Sequence, residues 1–209
     1  MNLGILIFPD VEELDFAGPW EMAGMWNKLS GIPERQLVVA QFDTPLTCSK
    51  GLIIVPHITF EQCPQLDVLL VPGGQGTRKE VENRVLINFI EEQAKNCKAV
   101  LSVCTGAFLL HKAGLLSGKR ATTHWASLDR LRALGDVIVI EERVVHDGNI
   151  WTSAGVSAGI DLMLAFIEDT VDEETAGKVQ LATEYYPSAR RYGAAHRSPM
   201  APSYLKEMV

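Results

Sequence analysis

The sequence lacks an apolar run long enough to cross a membrane, and it lacks any cluster of basic residues. Its 209 residues carry 19 Lys and Arg against 26 Asp and Glu, a formal net charge of −7, and the basic residues are scattered. A nucleic-acid backbone or an anionic membrane surface needs concentrated positive charge on its partner. The composition therefore argues against nucleic acid and membranes as partners and favours a soluble protein.

Cysteines are few, and their spacing fits none of the common cysteine motifs. Cys48, Cys63, Cys97 and Cys104 form no Cys-x-x-Cys pair, and no His-x-x-x-His pair accompanies them. A chain of this length buries a sufficient core without covalent links, so we expect reduced thiols and no metal site. The N-terminal segment enters a strand without the basic leader or cleavage site of a signal peptide, which predicts a cytoplasmic protein.

Apolar segments of strand length alternate with longer segments of helical period. Continuous Val, Ile and Leu runs bounded by Gly, Pro and Asp are typical of strands buried on both faces. They indicate an α/β protein with a mostly parallel sheet, whose predicted strands are residues 3–8, 37–42, 52–55, 68–71, 99–103 and 137–140. Residues 143–146 and 150–153 flank an Asp-Gly-Asn turn, which predicts a small antiparallel hairpin.

Helix signals lie between these runs. Pro19 suits the first turn of a helix that ends near residue 29, and Asn83 can cap a helix that ends near residue 96. A helix over 105–113 is closed by Gly114, and two more are predicted over 158–169 and 173–184. We expect one domain over residues 1–186 and a C-terminal tail over 187–209 that is rich in Pro, Ser, Ala and Arg.

Cys104 stands where the apolar strand 99–103 meets the helix that follows it. At such an elbow the sulfur projects from the sheet edge, beside the unpaired N–H groups and the positive dipole end of the helix. Both features favour a thiolate, so we interpret Cys104 as a nucleophile. The alternative is a buried cysteine that fills space at a strand end.

Asp15 follows the first predicted strand, in the connection that opens onto the same carboxyl edge of the sheet. A carboxyl group beside a nucleophilic thiol can hold or deliver a proton and then orient water. The alternative is a solvated or helix-capping aspartate. Glu12, Glu13 and Glu21 lie nearby in the sequence and are expected to be solvated.

Gly73 and Gly74 follow the buried strand 68–71, and adjacent glycines can turn backbone N–H groups toward a bound atom. No Gly-Lys-Ser/Thr follows, which argues against a nucleotide site, and an ordinary tight turn remains the alternative. Thr105, next to the cysteine, can anchor a substrate atom or water with its hydroxyl and N–H, or can simply begin the helix.

His124 can orient the thiolate or donate to it, although a histidine beside an aromatic side chain is more often a packed structural residue. Trp125 and Val156 are candidates for the wall of an apolar substrate pocket. Trp20 and Trp151 are further candidates, although aromatic side chains belong to the core by default.

Five segments in order resemble the ThiJ/PfpI superfamily. They are VPGGQG at 71–76, SVCTG at 102–106, AGLLSGKRATTHWA at 113–126 and GVSAGID at 155–161, together with DFAGP at 15–19. The match spans residues 2–184 and is most similar to the isocyanide hydratase branch. Peptidase-like members carry a histidine where this chain has Thr105, and deglycase-like and glyoxalase-like members usually carry Glu where it has Asp15.

The resemblance implies a flavodoxin-like three-layer sandwich, a homodimer, a strained backbone at the elbow cysteine and a carboxyl group at Asp15. It also implies that Thr105 and the Gly73–Gly74 amides complete the pocket. We therefore predict that Cys104 and Asp15 hydrate an organic isocyanide through a covalent thioimidate, without a cofactor.

The alternatives are an activity on small 2-oxoaldehydes, a non-catalytic ligand sensor and a redox-responsive thiol. About two dozen residues follow Pro187, too few for the DNA-binding extension of regulators that contain such a domain.

Overall fold

The computed structural model describes residues 1–188 and 192–206. Within them the strands are β1 Asn2–Leu6, β2 Arg35–Ala40, β3 Leu46–Thr47, β4 Ile53–Ile54, β5 Ile58–Thr59, β6 Val68–Val71, β7 Ala99–Val103, β8 Arg120–Ala121, β9 Ile138–Val139, β10 Val144–Asp147 and β11 Ile150–Ser153. The α-helices are α1 Glu13–Ser30, α2 Thr77–Glu80, α3 Arg84–Ala94, α4 Gly106–Lys112, α5 Leu128–Arg132, α6 Ala158–Thr170, α7 Glu173–Ala182 and α8 Ser203–Lys206. Short 3₁₀ helices lie at Trp125–Ser127 and Ala195–Arg197.

A seven-stranded sheet in the order β10-β11-β7-β6-β1-β2-β5 forms the middle layer. Every neighbouring pair is parallel except β10 and β11, which form the antiparallel hairpin predicted around the Asp-Gly-Asn turn. The helices α1, α6 and α7 pack together, and so do α2, α3 and α4. The predicted flavodoxin-like three-layer sandwich with a mostly parallel sheet is confirmed.

The strand order reverses next to β1. From β1 the chain proceeds outward through β2 to β5, and it then returns to β6 on the other side of β1 and proceeds through β7 to β11. Right-handed crossovers on both sides leave a crevice at the carboxyl ends of the strands at such a switch point. The segments that follow β1, β6 and β7 therefore meet at one edge of the sheet.

Several local signals have the predicted structural effect. The side chain of Asn83 accepts hydrogen bonds from the N–H groups of Val85 (3.2 Å) and Leu86 (3.3 Å), which caps α3. Gly114 takes a φ of +73° after α4, the left-handed conformation that ends a helix. β6 and β7 have the predicted bounds, and their residues are all buried. All four cysteines are free.

Two predicted strands lie outside the large sheet. The segment 52–55 supplies only β4, which pairs antiparallel with β3, and the segment 137–140 supplies only β9, which pairs parallel with β8. Ile53 and Ile138 are more than half exposed. These apolar runs are therefore not buried on both faces, which is the condition on which the prediction rested.

The prediction that a helix begins near Pro19 is wrong, because α1 begins six residues earlier at Glu13. The N–H of Glu12 donates to the Gly73 carbonyl (2.9 Å) and the N–H of Asp15 donates to the Glu12 carbonyl (3.2 Å), so the chain turns helical soon after β1. Asp15 accordingly lies in the first turn of a helix. None of the helices in the described residues is both long and apolar enough to span a bilayer.

Candidate active site

Cys104 occupies the sharp turn between β7 and α4. Its φ is +58°, a left-handed conformation that costs a non-glycine residue roughly 1–2 kcal/mol. The surroundings hold it there: its N–H donates to the carbonyls of Ser153 (3.2 Å) and Ala154 (3.0 Å), and its own carbonyl accepts from the Thr123 hydroxyl (2.7 Å). The strained backbone that the family resemblance implies is present, and it fixes the direction of the sulfur.

Val156 is a second strained residue at the same place. It follows β11 with a φ of +51°, which is an outlier for a β-branched side chain. The N–H of Val156 acts on the Cys104 sulfur and lowers the pKa of that thiol, as does the N–H of Thr105, although neither is the dominant influence. Two backbone donors therefore face the sulfur from different segments.

Asp15 is completely buried, and its carboxyl group lies at the same site. Its Oδ2 accepts a hydrogen bond from the Gly73 N–H at 2.8 Å, whereas its Oδ1 has no hydrogen-bond partner of normal geometry among the described residues. Burial raises the pKa of Asp15 to about 7, with a further rise from the charge of Glu12; the Gly73 N–H, the Cys104 thiol and the Val156 N–H oppose it. The structure brings this carboxyl group and the Cys104 thiol together, as the sequence predicts.

Gly73 makes the close approach of these groups possible. A Cβ on this residue would lie 2.5 Å from the Thr105 nitrogen and 2.9 Å from Asp15 Oδ2, both far inside van der Waals contact. No other residue type fits between α1 and the start of α4 without separating them. Close packing therefore requires glycine at position 73, and the residue does not line a free anion-binding pocket.

The resting thiol differs from the prediction. Burial raises the pKa of Cys104 to about 12, and the negative charge of Asp15 raises it further against the Thr105 and Val156 donors. The helix dipole was expected to favour the thiolate, but α4 has only seven residues and the sulfur lies in a desolvated site. Burial and the Asp15 charge therefore favour the thiol over the expected thiolate in the resting protein, and the Asp15 carboxylate beside the thiol can accept its proton.

The Gly73–Gly74 amides are already engaged, which corrects the expectation that they complete an open pocket. The Gly73 N–H donates to Asp15, and the Gly74 N–H donates to Thr105 Oγ1 at 3.1 Å. Thr105 precedes α4, yet its side chain makes no capping hydrogen bond to that helix. Its hydroxyl instead joins the glycine loop to the elbow and interacts with the Cys104 sulfur.

His124 and Trp125 lie at the edge of this site. His124 Nδ1 accepts a hydrogen bond from the Ala126 N–H (3.2 Å), and burial lowers the pKa of the ring, so His124 is the neutral cap of the 3₁₀ helix at Trp125–Ser127. Its ring packs so closely on Gly155 that a Cβ there would overlap it. His124 is therefore a wall beside Val156, and Trp125 is partly exposed next to it.

Trp151 and Trp20 do not belong to the site. Trp151 is a buried β11 residue that stacks on His146 and meets the edge of Phe166, and Trp20 packs against His57.

Thr77 is a site residue that the sequence reasoning missed: its hydroxyl lies 3.1 Å from Thr105 Oγ1. The only signal for it was its position three residues after the glycine pair. Among the described residues no cluster of three or more His, Cys, Asp or Glu side chains is placed to hold a metal ion.

Known proteins resemble this chain over most of its length. Residues 1–169 match the sequence model of the DJ-1/PfpI family. The chain is 44% identical over 189 residues to the isonitrile hydratase of Pseudomonas putida, which covers 90% of this chain and 80% of that protein. A crystal structure of a ThiJ/PfpI family protein from Pseudomonas syringae superposes with a TM-score of 0.86 at 35% identity, over 98% of this chain and 82% of the other.

A transcription regulator is also similar. The HTH-type transcriptional regulator GbdR of Pseudomonas aeruginosa is 30% identical over 168 residues, which is 79% of this chain but only 46% of the regulator. The likeness is thus confined to about half of that protein.

Proposed function

This chain belongs to the DJ-1/PfpI family, and we propose that within it the protein is a hydratase that converts an organic isocyanide, R–N≡C, into the N-substituted formamide. The 44% identity to an isonitrile hydratase supports this reaction. The observation that carries the proposal is the burial of Asp15 and Cys104 side by side at the switch point of the sheet. A thiol, a carboxylate and a water molecule are the only groups this reaction requires.

The first step forms a carbon–sulfur bond. The Asp15 carboxylate takes the thiol proton as the Cys104 sulfur attacks the terminal isocyanide carbon, and one C–N π bond remains. The carbon then takes the proton back from Asp15, which gives the thioimidate Cys104–S–CH=N–R. One carboxyl group thus acts first as base and then as acid, which its raised pKa of about 7 suits.

The second step adds water. The Asp15 carboxylate removes a proton from water as the oxygen bonds to the thioimidate carbon, and it returns that proton to the nitrogen. The tetrahedral adduct then forms a C=O bond and breaks its C–S bond, and the hydroxyl proton passes through Asp15 to the departing sulfur. The products are R–NH–CHO and the resting thiol, so one isocyanide and one water are consumed.

Backbone donors stabilise the charge that develops on sulfur. The N–H groups of Thr105 and Val156 face Cys104 and are held by the strained elbow and the loop after β11. Fixed donors of this kind need no reorganisation during the reaction, and each typically contributes about 3 kcal/mol. The Gly74 N–H does not serve as such a donor, because it already donates to Thr105 Oγ1.

The experiment is a product assay on a small panel of isocyanides and 2-oxoaldehydes, read by mass spectrometry. The parent protein should release the formamide and turn over methylglyoxal far more slowly. Cys104→Ala should form no product, whereas Cys63→Ala, which removes a half-buried thiol elsewhere, should retain the parent rate. Preferred turnover of methylglyoxal would establish the 2-oxoaldehyde alternative, and formamide production by Cys104→Ala would refute the covalent route.

A ligand sensor is the second candidate, because the chain resembles part of a transcription regulator. A sensor should bind a small molecule at Cys104 and Asp15 without consuming it. The same assay separates the two functions: isocyanide that is bound by the parent protein but recovered unchanged would favour the sensor.

A further inference from the structure

A separate cavity of about 700 Å³ lies at the carboxyl ends of β1 and β2. Its walls are the residues that follow β1, the end of β2 with the loop to β3, and the segment from α2 to the start of α3. Cys104, Asp15 and Thr105 do not line it. The volume is within the range of pockets that hold small organic molecules.

The floor and the mouth of this cavity are largely apolar. Phe8 and Leu86 line it as buried core residues, and Phe42, which follows β2, lines it while 64% exposed. Most of the Phe42 ring is therefore open to a ligand. An aromatic ring in such a position can cover the apolar body of a bound molecule, and its face attracts a cation.

Asn83 holds two polar side chains in place on the cavity wall. Its Nδ2 donates to Gln41 Oε1 at 2.9 Å and to Glu80 Oε2 at 2.7 Å, and its Oδ1 caps α3. Both hydrogens of the amide are thereby used, so Asn83 has none left to donate to a ligand. The network fixes the direction of the Glu80 carboxylate instead.

Glu80 is a buried acid that lacks a cationic partner. Its side chain is at the end of α2, the residue is only 6% exposed, and its carboxylate lines the cavity. Within the described parts of the chain its second oxygen, Oε1, receives no hydrogen bond, and no Lys, Arg or His forms an ion pair with it. A buried carboxylate is costly unless a cation and further donors satisfy it.

The charges around the cavity favour a cation as the missing partner. Asp10 and Glu82 line it together with Glu80, and Lys79 is the basic residue among its lining side chains. The described residues contain no group of three His, Cys, Asp or Glu placed to hold a metal ion. A carboxylate beside exposed aromatic surface suits an organic cation better than a metal ion.

We propose that this cavity binds a small organic amine in its ammonium form. The charged nitrogen donates to Glu80, and the apolar body of the amine lies against Phe42 and Leu86. This binding site is additional to the proposed function and does not rest on it, because no group of the Cys104 site takes part.

The test is isothermal titration calorimetry of the full chain at pH 7 with phenethylamine, which is protonated at that pH. Phenethyl alcohol, which has the same apolar body and no charge, is titrated in parallel. The amine should bind saturably with a dissociation constant below about 1 mM, and the alcohol about tenfold more weakly or worse.

Glu80→Gln keeps the shape of the side chain and removes its charge. It should weaken amine binding about tenfold or more and change the affinity for the alcohol little. Phe42→Ala, at an exposed residue, should weaken binding of both ligands about threefold or more, and it supplies the comparison if the glutamine variant does not fold. Glu61→Gln makes the same change in net charge at an exposed residue outside the cavity and should bind like the parent protein.

The other buried carboxyl group, that of Asp15, allows the site of binding to be identified. Asp15→Asn should retain amine binding, whereas its loss there together with retention in Glu80→Gln would overturn the proposal. Equal affinities for the amine and the alcohol, parent-like binding in both Glu80→Gln and Phe42→Ala, or an absence of saturable binding would also overturn it. A protein that binds the amine through Glu80 but turns over no isocyanide would refute the proposed function alone.

Discussion

At the scale of single residues, Asp15 is the group with the largest consequence for both stability and chemistry. Its carboxyl group is fully buried, and burial raises its pKa from 3.8 to about 7. An aspartate with a raised folded-state pKa destabilises the fold once it ionises, because the unfolded chain releases the proton more easily. Burial of Asp15 therefore lowers the stability of the fold near neutral pH, and it gives the site a carboxyl group that can exchange a proton in that pH range.

We predict that Asp15→Asn stabilises the protein at neutral pH while slowing turnover at least 100-fold. In the parent protein the stabilising effect of protonated Asp15 is fully present below pH 4 and is lost as the pH rises to 7, about 4 kcal/mol in all. The melting temperature of the variant should therefore exceed that of the parent by several degrees at pH 8 and by much less at pH 5.

The matched control is Asp43→Asn, which changes an exposed aspartate in the loop after β2. Its melting temperature should follow that of the parent at both pH values. An Asp15→Asn protein that is no more stable than the parent at pH 8 would contradict the buried-carboxyl interpretation.

The same pKa predicts the pH dependence of activity. The pair is reactive with one shared proton, a state that forms when Asp15 ionises near pH 7 and persists until the thiol ionises near pH 12. We therefore expect kcat/KM for an isocyanide to rise through pH 7 and to reach a plateau above it. A profile that rises only near pH 9, as for an isolated thiol, would show that Asp15 does not share the proton.

The residue types of the site could be predicted from sequence, but their states could not. Cys104 and Asp15 follow strands whose carboxyl ends must meet at one edge of a parallel sheet, so their encounter follows from topology. The protonated thiol and the engaged Gly73 and Gly74 amides depend on burial and on hydrogen bonds across 31 to 58 residues of sequence. Thr77 escaped notice for the same reason.

At the scale of elements, the packing of α1 on α6 holds Asp15 against the elbow. Pro19 lies inside α1, and it packs against Gly159 of α6, where a Cβ would lie 2.9 Å from Pro19 Cγ and 3.2 Å from Val103 Cγ2. Val103 directly precedes Cys104. The small residue at position 159 therefore lets the helix that carries the acid approach the strand that carries the nucleophile.

We predict that Gly159→Ala destabilises the protein by about 1–3 kcal/mol, because the added methyl group overpacks this contact. Gly177→Ala is the matched control in α7: a Cβ there meets nothing within 4 Å, so the change should stabilise the protein by about 0.5–1 kcal/mol. Denaturant unfolding measures both values. Equal stabilisation by the two substitutions would show that the α1–α6 contact is not tight.

The strands show where sequence patterns mislead. The runs 68–71 and 99–103 form central strands, whereas the equally apolar runs 52–55 and 137–140 form short exposed pairs. Composition alone cannot separate these cases, because an apolar run is compatible with burial but does not specify which other elements pack against it. The early start of α1 was hidden for a related reason, since Pro19 usually marks the first turn of a helix.

At the scale of the whole molecule, the β3–β4 hairpin presents an apolar surface next to the site. Leu52, Ile53 and Val55 are each more than half exposed. Glu13, which lies two residues before Asp15 in α1, holds this hairpin because its Oε1 accepts a hydrogen bond from the Lys50 N–H at 2.6 Å. Neighbouring exposed apolar side chains of this kind suit contact with another protein surface.

Homodimer formation, which the family resemblance implies, remains a prediction that this surface supports. Light scattering should give about twice the chain mass of 23.0 kDa, and Ile53→Asp should reduce the measured mass toward that of one chain. Ile138→Asp, at an exposed residue of β9, is the control and should leave the mass unchanged. A single-chain mass for the parent protein at micromolar concentration would contradict the prediction.

The most direct test of the central claim, that Cys104 and Asp15 act together on an isocyanide, is rapid quenching of the reaction followed by peptide mass spectrometry. We predict that the Cys104 peptide of the parent protein gains the mass of one intact isocyanide while formamide accumulates, and that Asp15→Asn forms the product at least 100-fold more slowly. Formamide production with Cys104 unmodified at every quench time, or with the adduct on another cysteine, would contradict the account.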